Sequence, residues 1–130
     1  MTDLFTATQR KGFAAVLRSR YRTLWDEAQR ELGSAEPYRD LAGETHDPED
    51  EATADVLVDT SLANIHRYIG EMRDIQRALQ RVSDGSYGTC ADCGEEIATE
   101  RLKVDPVAER CQPCQSRHER QYATARGPTL

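Results

Sequence analysis

An apolar repeat in the middle of the chain constrains the fold more than any other feature of the sequence. Apolar residues recur there at spacings of 4, 3, 4, 3, 3, 4 and 3. They are Val58, Leu62, Ile65, Ile69, Met72, Ile75, Leu79 and Val82. This pattern is close to the 3.5-residue repeat of a coiled-coil seam. It predicts a long helix that pairs with another helix.

The partner helix is predicted from residues 13–32, where apolar and semi-apolar residues recur at spacings of 4, 4, 3, 4 and 4. They are Phe13, Leu17, Tyr21, Leu24, Ala28 and Leu32. This periodicity is typical of one face of an amphipathic helix. Trp25 lies next to the seam residue Leu24, and we expect it to pack at the base of the helix. The start of the other face is rich in basic residues, which are Arg10, Lys11, Arg18, Arg20 and Arg22.

Gly33, Ser34 and Pro37 interrupt the first pattern, so residues 33–46 are predicted to turn between the two helices. Two long helices joined by one loop pack antiparallel as a hairpin. Aromatic residues make up only 6% of the chain and charged residues 31%. Such a composition favours long amphipathic helices over a thick globular core.

The second helix is predicted to begin at an acidic stretch, THDPEDEATAD, in residues 45–55. Asp47 suits the N-cap and Pro48 the first helical position, and acids complement the positive end of the helix dipole. A helix from Pro48 to Val82 would be about 50 Å long. The acids would then lie at the tip of the hairpin, where either helix initiation or contact with a cation or basic partner explains them.

The four cysteines form two Cys-x-x-Cys pairs separated by seventeen residues. They are Cys90, Cys93, Cys111 and Cys114. This spacing is typical of a four-thiolate zinc site, and four thiolates leave no open position for catalysis. We therefore expect one structural Zn²⁺ and a solvent-facing His118. We expect no disulfides, because the stretch MTDLFTATQRKGF lacks the basic and apolar regions of a signal peptide.

Together these patterns predict a mainly α fold, a long antiparallel coiled-coil helical hairpin followed by a small four-cysteine zinc module and a short C-terminal helix. The hairpin is assigned to residues 1–83 with its tip at about 34–55, and the zinc module with the terminal helix to residues 84–130. The formal charge of −6 opposes a primary role in DNA binding, and no apolar run is long enough to span a membrane. We expect a cytoplasmic monomer that is not an enzyme.

Two motifs give the chain a resemblance to the DksA/TraR family of bacterial RNA polymerase regulators. The zinc module, YGTCADCGEEIATERLKVDPVAERCQPC, matches the family in the type and spacing of its cysteines. The tip motif of the family, Asp-x-x-Asp-x-Ala, corresponds to residues 47–52, DPEDEA. The resemblance covers about residues 13–124 and includes the separation of the tip motif from the first cysteine.

The resemblance implies a protein that binds RNA polymerase rather than a promoter sequence and inserts the hairpin tip into the secondary channel. Asp50 would be the main effector at the polymerase active site, Asp47 its partner and N-cap, and Ala52 a small residue that permits close approach. Asn64 and Arg67 match further positions that the family uses for contacts.

The resemblance also implies a departure from the full DksA type, in which a basic cluster helps to bind the alarmone ppGpp. Three of those basic positions correspond to Asp74, Asp105 and Gln115, while Arg67 remains basic. Two acids and an amide would repel or fail to hold a polyphosphate. We therefore expect weak or absent ppGpp dependence. The alternative is a zinc-ribbon adaptor that binds another protein or nucleic acid without entering the polymerase channel.

Overall fold

The computed structural model describes residues 6–42 and 48–126, and these ranges are mainly helical. The helices are α1 (Ala7–Ala42), α2 (Pro48–Asp84), α3 (Thr99–Val104) and α4 (Gln112–Arg126). The predicted fold class is confirmed: α1 and α2 form the antiparallel coiled-coil hairpin, and the cysteine module follows with the terminal helix α4. The described ranges contain no strand, only an isolated antiparallel bridge between Thr89 and Glu96. Within them, no helix combines the length and apolar content that a membrane span requires.

The chain divides into two compact units. One comprises Met1–Leu17 with Gln76–Leu130, and the other comprises Arg18–Ile75. The first unit therefore unites the start of α1 and the end of α2 with the cysteine module. Its buried residues include Ala14, Leu17, Ala78, Tyr87, Ile97, Leu102 and Ala108. The boundary expected between residues 83 and 84 stays a prediction.

The second unit consists of the remaining parts of α1 and α2. Part of the predicted seam lies between them, but the predicted seam residue Leu32 is 40% exposed. Leu24, Met72 and Ile75 are buried there, and burial of each such side chain stabilises a fold by about 1.5–3 kcal/mol. A polar pair also crosses between the helices, because the Asn64 Nδ2 amide donates a hydrogen bond of 3.3 Å to Glu31 Oε1.

The turn predicted for residues 33–46 is wrong for residues 33–42, because α1 continues to Ala42. Pro37 lacks the N–H that would reach the Gly33 carbonyl, and a proline in a helix interior costs about 3 kcal/mol. The neighbouring alanines, glutamate, arginine and leucine favour the helix, and each residue added to a helix adds a backbone hydrogen bond. Residues 43–47 lie outside the described residues. α2 begins at Pro48, as expected.

The packing role predicted for Trp25 is also wrong, because this residue is 50% exposed. Leu24 is buried at 7% exposure. Successive residues on a helix are about 100° apart, so the residue after a buried one faces away from the seam. The side chain of Trp25 therefore contributes surface rather than core.

α2 ends in a backbone arrangement that joins it to the cysteine module. Gly85 has a φ of 86°, which a residue with a Cβ rarely adopts. The Ser86 N–H donates to the Arg81 carbonyl at 3.0 Å, as in a Schellman motif. Asp84 Oδ1 accepts hydrogen bonds from the Ser86 hydroxyl and N–H, at 2.6 and 3.0 Å. These two hydrogen bonds hold the pKa of Asp84 below its ordinary value.

Tyr87 fixes the first residues of the cysteine module to the loop between the two cysteine pairs. Its hydroxyl donates a hydrogen bond of 2.8 Å to the Pro106 carbonyl, and its ring lies 5.4 Å from the ring of Phe13. Only 2% of Tyr87 is exposed. Burial raises the pKa of its hydroxyl to about 12.

We predict that Tyr87→Phe lowers the free energy of unfolding by about 1–2 kcal/mol at pH 7, because the Pro106 carbonyl loses its buried partner. The folded pKa of Tyr87 is about 12, whereas tyrosine in an unfolded chain titrates near 10. The free energy of unfolding of the wild type therefore falls as pH rises from about 10 to about 12, and the difference from Tyr87→Phe becomes smaller. Urea unfolding across that window measures the difference. The exposed Tyr122→Phe is the control, and a constant difference between wild type and Tyr87→Phe up to pH 12 would contradict the assignment.

Candidate metal centre

The four cysteines converge on one point. Their Sγ atoms all lie within 4.8 Å of one another, and Cys93 Sγ is 3.8 Å from Cys111 Sγ. Four sulfurs tetrahedrally placed at about 2.3 Å from a Zn²⁺ ion are about 3.8 Å apart. The cluster therefore fits a tetrahedral zinc ion, and it would occupy all four positions of that ion. The chemistry that the metal supplies is structural, since no position remains for water or a substrate.

The first cysteine pair lies on a tight backbone turn. The Cys90 N–H donates to the Glu95 carbonyl at 2.8 Å, and the Gly94 N–H donates to the Cys90 carbonyl at 3.0 Å. Gly94 has a φ of 75°, so this turn requires glycine. The second pair begins at the N-terminus of α4, where the Gln115 N–H donates to the Cys111 carbonyl at 2.9 Å.

The pKa values of Cys90 and Cys114 are shifted in opposite directions. Burial raises the pKa of Cys90, but backbone N–H groups of Cys93, Cys111 and Asp92 outweigh it and lower the pKa to about 6. The pKa of Cys114 is raised to about 12, first by its contact with Cys111 and then by burial. Four sulfurs this close cannot all ionise without a cation, whereas a coordinating metal deprotonates them. The donor set therefore matches a divalent metal.

Arginine side chains hold the two halves of the centre together, and sequence reasoning missed them. Arg101 Nε donates to the Arg110 carbonyl at 3.1 Å, next to Cys111. Arg110 Nε forms an ion pair of 3.0 Å with Asp92 Oδ2, between the first two cysteines. These contacts lack a sequence signal because they depend on the path of irregular loops.

The other predicted site residues occupy the hairpin. Asp50 and Ala52 lie in the first turns of α2, and Asp47 is outside the described residues. Asn64 is half-buried and Arg67 is exposed, with its guanidinium 5.2 Å from the ring centre of Tyr68. His118 is exposed as expected and does not belong to the sulfur cluster.

We predict that Cys93→Ser abolishes stoichiometric zinc and unfolds the cysteine module. Zinc binding contributes about 10–16 kcal/mol in small structural sites, which is as large as the net stability of a whole domain. Elemental analysis after gel filtration should give one zinc per wild-type chain, and chelation should lower the helical circular dichroism signal. The matched control is His118→Ala, which should retain zinc. Loss of zinc from His118→Ala, or its retention in Cys93→Ser, would contradict the ligand set.

Comparison with known proteins agrees with this geometry. Residues 85–120 match the model of the prokaryotic dksA/traR C4-type zinc finger. The chain is 30% identical over 114 residues to the RNA polymerase-binding transcription factor DksA of Salmonella typhimurium, an alignment that covers 88% of this chain and 74% of that protein. It is 35% identical over 103 residues to an uncharacterized protein of Aquifex aeolicus, covering 76% of this chain and 64% of that protein.

The fold also matches a solved structure, that of transcription factor DksA2 from Pseudomonas aeruginosa. The TM-score is 0.77 at 27% identity, and the match covers 89% of this chain and 87% of that one. The zinc-finger match and the alignment with DksA of Salmonella typhimurium indicate the same family. The zinc-finger match and the four clustered cysteines confirm the expected structural zinc ion. The chain belongs to the DksA/TraR family of C4-type zinc-finger proteins.

Proposed function

We propose that this protein is a bacterial transcription regulator that binds RNA polymerase directly and inserts the tip of its hairpin into the secondary channel. The observation that carries the proposal is the alignment of 88% of the chain with a factor named as RNA polymerase-binding. That alignment is supported by the tip motif, residues 47–52, at the start of α2. The protein acts as a monomer, without catalysis and without sequence-specific DNA binding.

The tip would act through its carboxylates. Asp50 lies in the first turn of α2, where the positive end of the helix dipole favours an ionised acid. In a narrow, partly desolvated channel, Coulomb attraction to basic side chains and magnesium ions exceeds its value in water. Asp50 is the proposed effector, Asp47 its partner, and Ala52 the small residue that leaves room for close approach.

Two residues farther along α2 are proposed to contact polymerase. The amide nitrogen of Asn64 is bound to Glu31 at 3.3 Å, which leaves its oxygen to accept a hydrogen bond from a partner. The guanidinium of Arg67 lies 5.2 Å from the centre of the Tyr68 ring. A cation–π contact of this kind stabilises one orientation of an exposed arginine.

A weak or absent response to ppGpp is the second part of the proposal. Asp74 and Asp105 present carboxylates at positions where the full DksA type is basic, and polyphosphate recognition requires cations. Gln115 offers no charge, and its amide donates to Glu119 Oε1 at 3.0 Å. Arg67 alone retains a positive charge among these positions.

We predict that Asp50→Asn abolishes regulation in transcription from a sensitive promoter while its Kd for polymerase stays within about threefold of wild type. Asparagine keeps the size of the side chain and removes its charge. The tip should therefore still enter the channel, but without the carboxylate that acts there. The matched control is Asp59→Asn, an exposed acid nine residues along α2. Unchanged regulation by Asp50→Asn would sink the tip mechanism and favour a zinc-ribbon adaptor, for which surface changes on the zinc module would matter instead.

We predict that ppGpp changes the regulatory activity of the wild type by less than about twofold, because the carboxylates of Asp74 and Asp105 oppose a polyphosphate. A titration of ppGpp in the same transcription reactions measures this. The positive control is a DksA of the full type with the same polymerase. A large enhancement with this protein would refute the second part of the proposal and leave the tip mechanism standing.

A further inference from the structure

The first half of α1 is cationic in an acidic protein, and neither the zinc centre nor the tip mechanism uses it. Residues 6–25 contain five of the 17 lysines and arginines of the chain and none of its 23 acids, while the formal charge of the whole chain is −6. Asp26 is the first acid after this segment, and it is exposed four residues beyond Arg22.

Three residues of this segment form one exposed face, which we call the Arg–Trp face: Arg18, Arg22 and Trp25. Spacings of four and three residues place them on one stripe of α1. All three are exposed, Trp25 at 50%. Each follows a residue of the apolar seam by one position, so the stripe flanks the hairpin interior.

The stability of the protein does not explain this face. Arg18 and Arg22 lie four residues apart, and like charges at that spacing destabilise a helix by about 0.2–0.5 kcal/mol. Neither guanidinium forms an ion pair within the part of the chain that the structure describes. Trp25 is 50% exposed, so a large part of its apolar surface is left uncovered by the described residues. Both features are typical of a surface that is completed by a partner.

We propose that the Arg–Trp face docks on an acidic protein surface of RNA polymerase, a proposal that rests on the proposed function. Charge complementarity specifies the partner: two carboxylates about 6 Å apart, the rise of four helical residues, would each pair with one arginine. The indole of Trp25 would bury its apolar face between them. Tryptophan and arginine are the residues that most often dominate the energetics of protein interfaces.

An acidic protein is favoured over a nucleic acid as the occupant. Nucleic-acid binders present broad basic surfaces, whereas this chain has a pI of about 5.1 and the Arg–Trp face carries two arginines beside one aromatic ring. A stacking platform for single strands needs successive aromatic residues, and the stripe has one.

The test measures the Kd of the full-length, zinc-loaded protein for RNA polymerase across a range of salt concentrations. The double substitution Arg18→Glu with Arg22→Glu should raise the Kd at least about tenfold and flatten its salt dependence, and Trp25→Ala should raise it about threefold or more. Arg20→Glu is the matched control, because Arg20 is an exposed cation of the same helix outside the stripe. The Kd of the Arg20→Glu variant for RNA polymerase should stay within about twofold of wild type.

Circular dichroism and zinc content verify the fold of each variant. If the double glutamate variant does not fold, the double glutamine variant replaces it and should still weaken binding, because it removes both charges. Wild-type affinity in the folded variant overturns the proposal, as does an equal loss in Arg20→Glu, which would indicate a diffuse field rather than a face.

Two further measurements test whether a nucleic acid or a second copy of the chain, rather than an acidic protein surface, binds the Arg–Trp face. Binding of labelled single-stranded RNA or duplex DNA that depends on Arg18 and Arg22 would overturn the proposal in favour of a nucleic acid. Wild-type self-association in sedimentation that the double variant abolishes would overturn it in favour of a second copy of the chain.

Failure of this proposal is distinguishable from failure of the proposed function. The double variant at saturating concentration should regulate transcription as the wild type does, since its tip is intact, whereas Asp50→Asn should not regulate at any concentration. If the wild type does not bind polymerase, both proposals fall. If it binds and the double variant binds equally well, the docking face alone falls.

Discussion

The convergence of four thiols within 4.8 Å is the constraint on which the cysteine module depends. The module between the end of α2 and α4 has few large buried side chains, chiefly Tyr87, Ile97 and Leu102. A core of that size rarely holds a fold by itself, so metal ligation contributes most of the stability of the module. The same cluster joins the turn that carries Cys90 to the start of α4. Zinc ligation thus supplements the small hydrophobic core of the module.

The hairpin is connected to this module by local backbone chemistry. Gly85 ends α2 in a left-handed conformation, and Arg81 of the last helical turns donates to the Val107 carbonyl at 3.1 Å and forms an ion pair of 3.5 Å with Glu109. Tyr87 adds its hydrogen bond to Pro106. The end of a long helix is therefore held by backbone carbonyls on the loop that precedes Cys111, within one compact unit.

Sequence reasoning succeeded where a periodic or fixed spacing determines geometry, as in the seam residues Met72 and Ile75 and the cysteine pairs. It failed where several weak terms compete. The extension of α1 through Gly33 and Pro37 sets the backbone hydrogen bonds and good helix formers of several turns against the cost of one glycine and one proline. The breaker residues alone do not reveal this balance. Helix α3 has six residues, too few for a periodic signal. The contact of Arg101 with the Arg110 carbonyl depends on loops that carry no pattern.

The charges of α1 and α2 give the hairpin a polarity that bears on how it would meet polymerase. The Arg–Trp face lies about 26–36 Å along α1 from Ala42, whereas the acids of the tip motif lie at the start of α2. A channel whose basic groups and metal ions attract the tip carboxylates would repel the arginines, so the two regions require surfaces of opposite charge. Charge pairs at an interface contribute more to orientation than to affinity. On the proposed function, this polarity would favour entry of the hairpin tip first and oppose the reverse orientation.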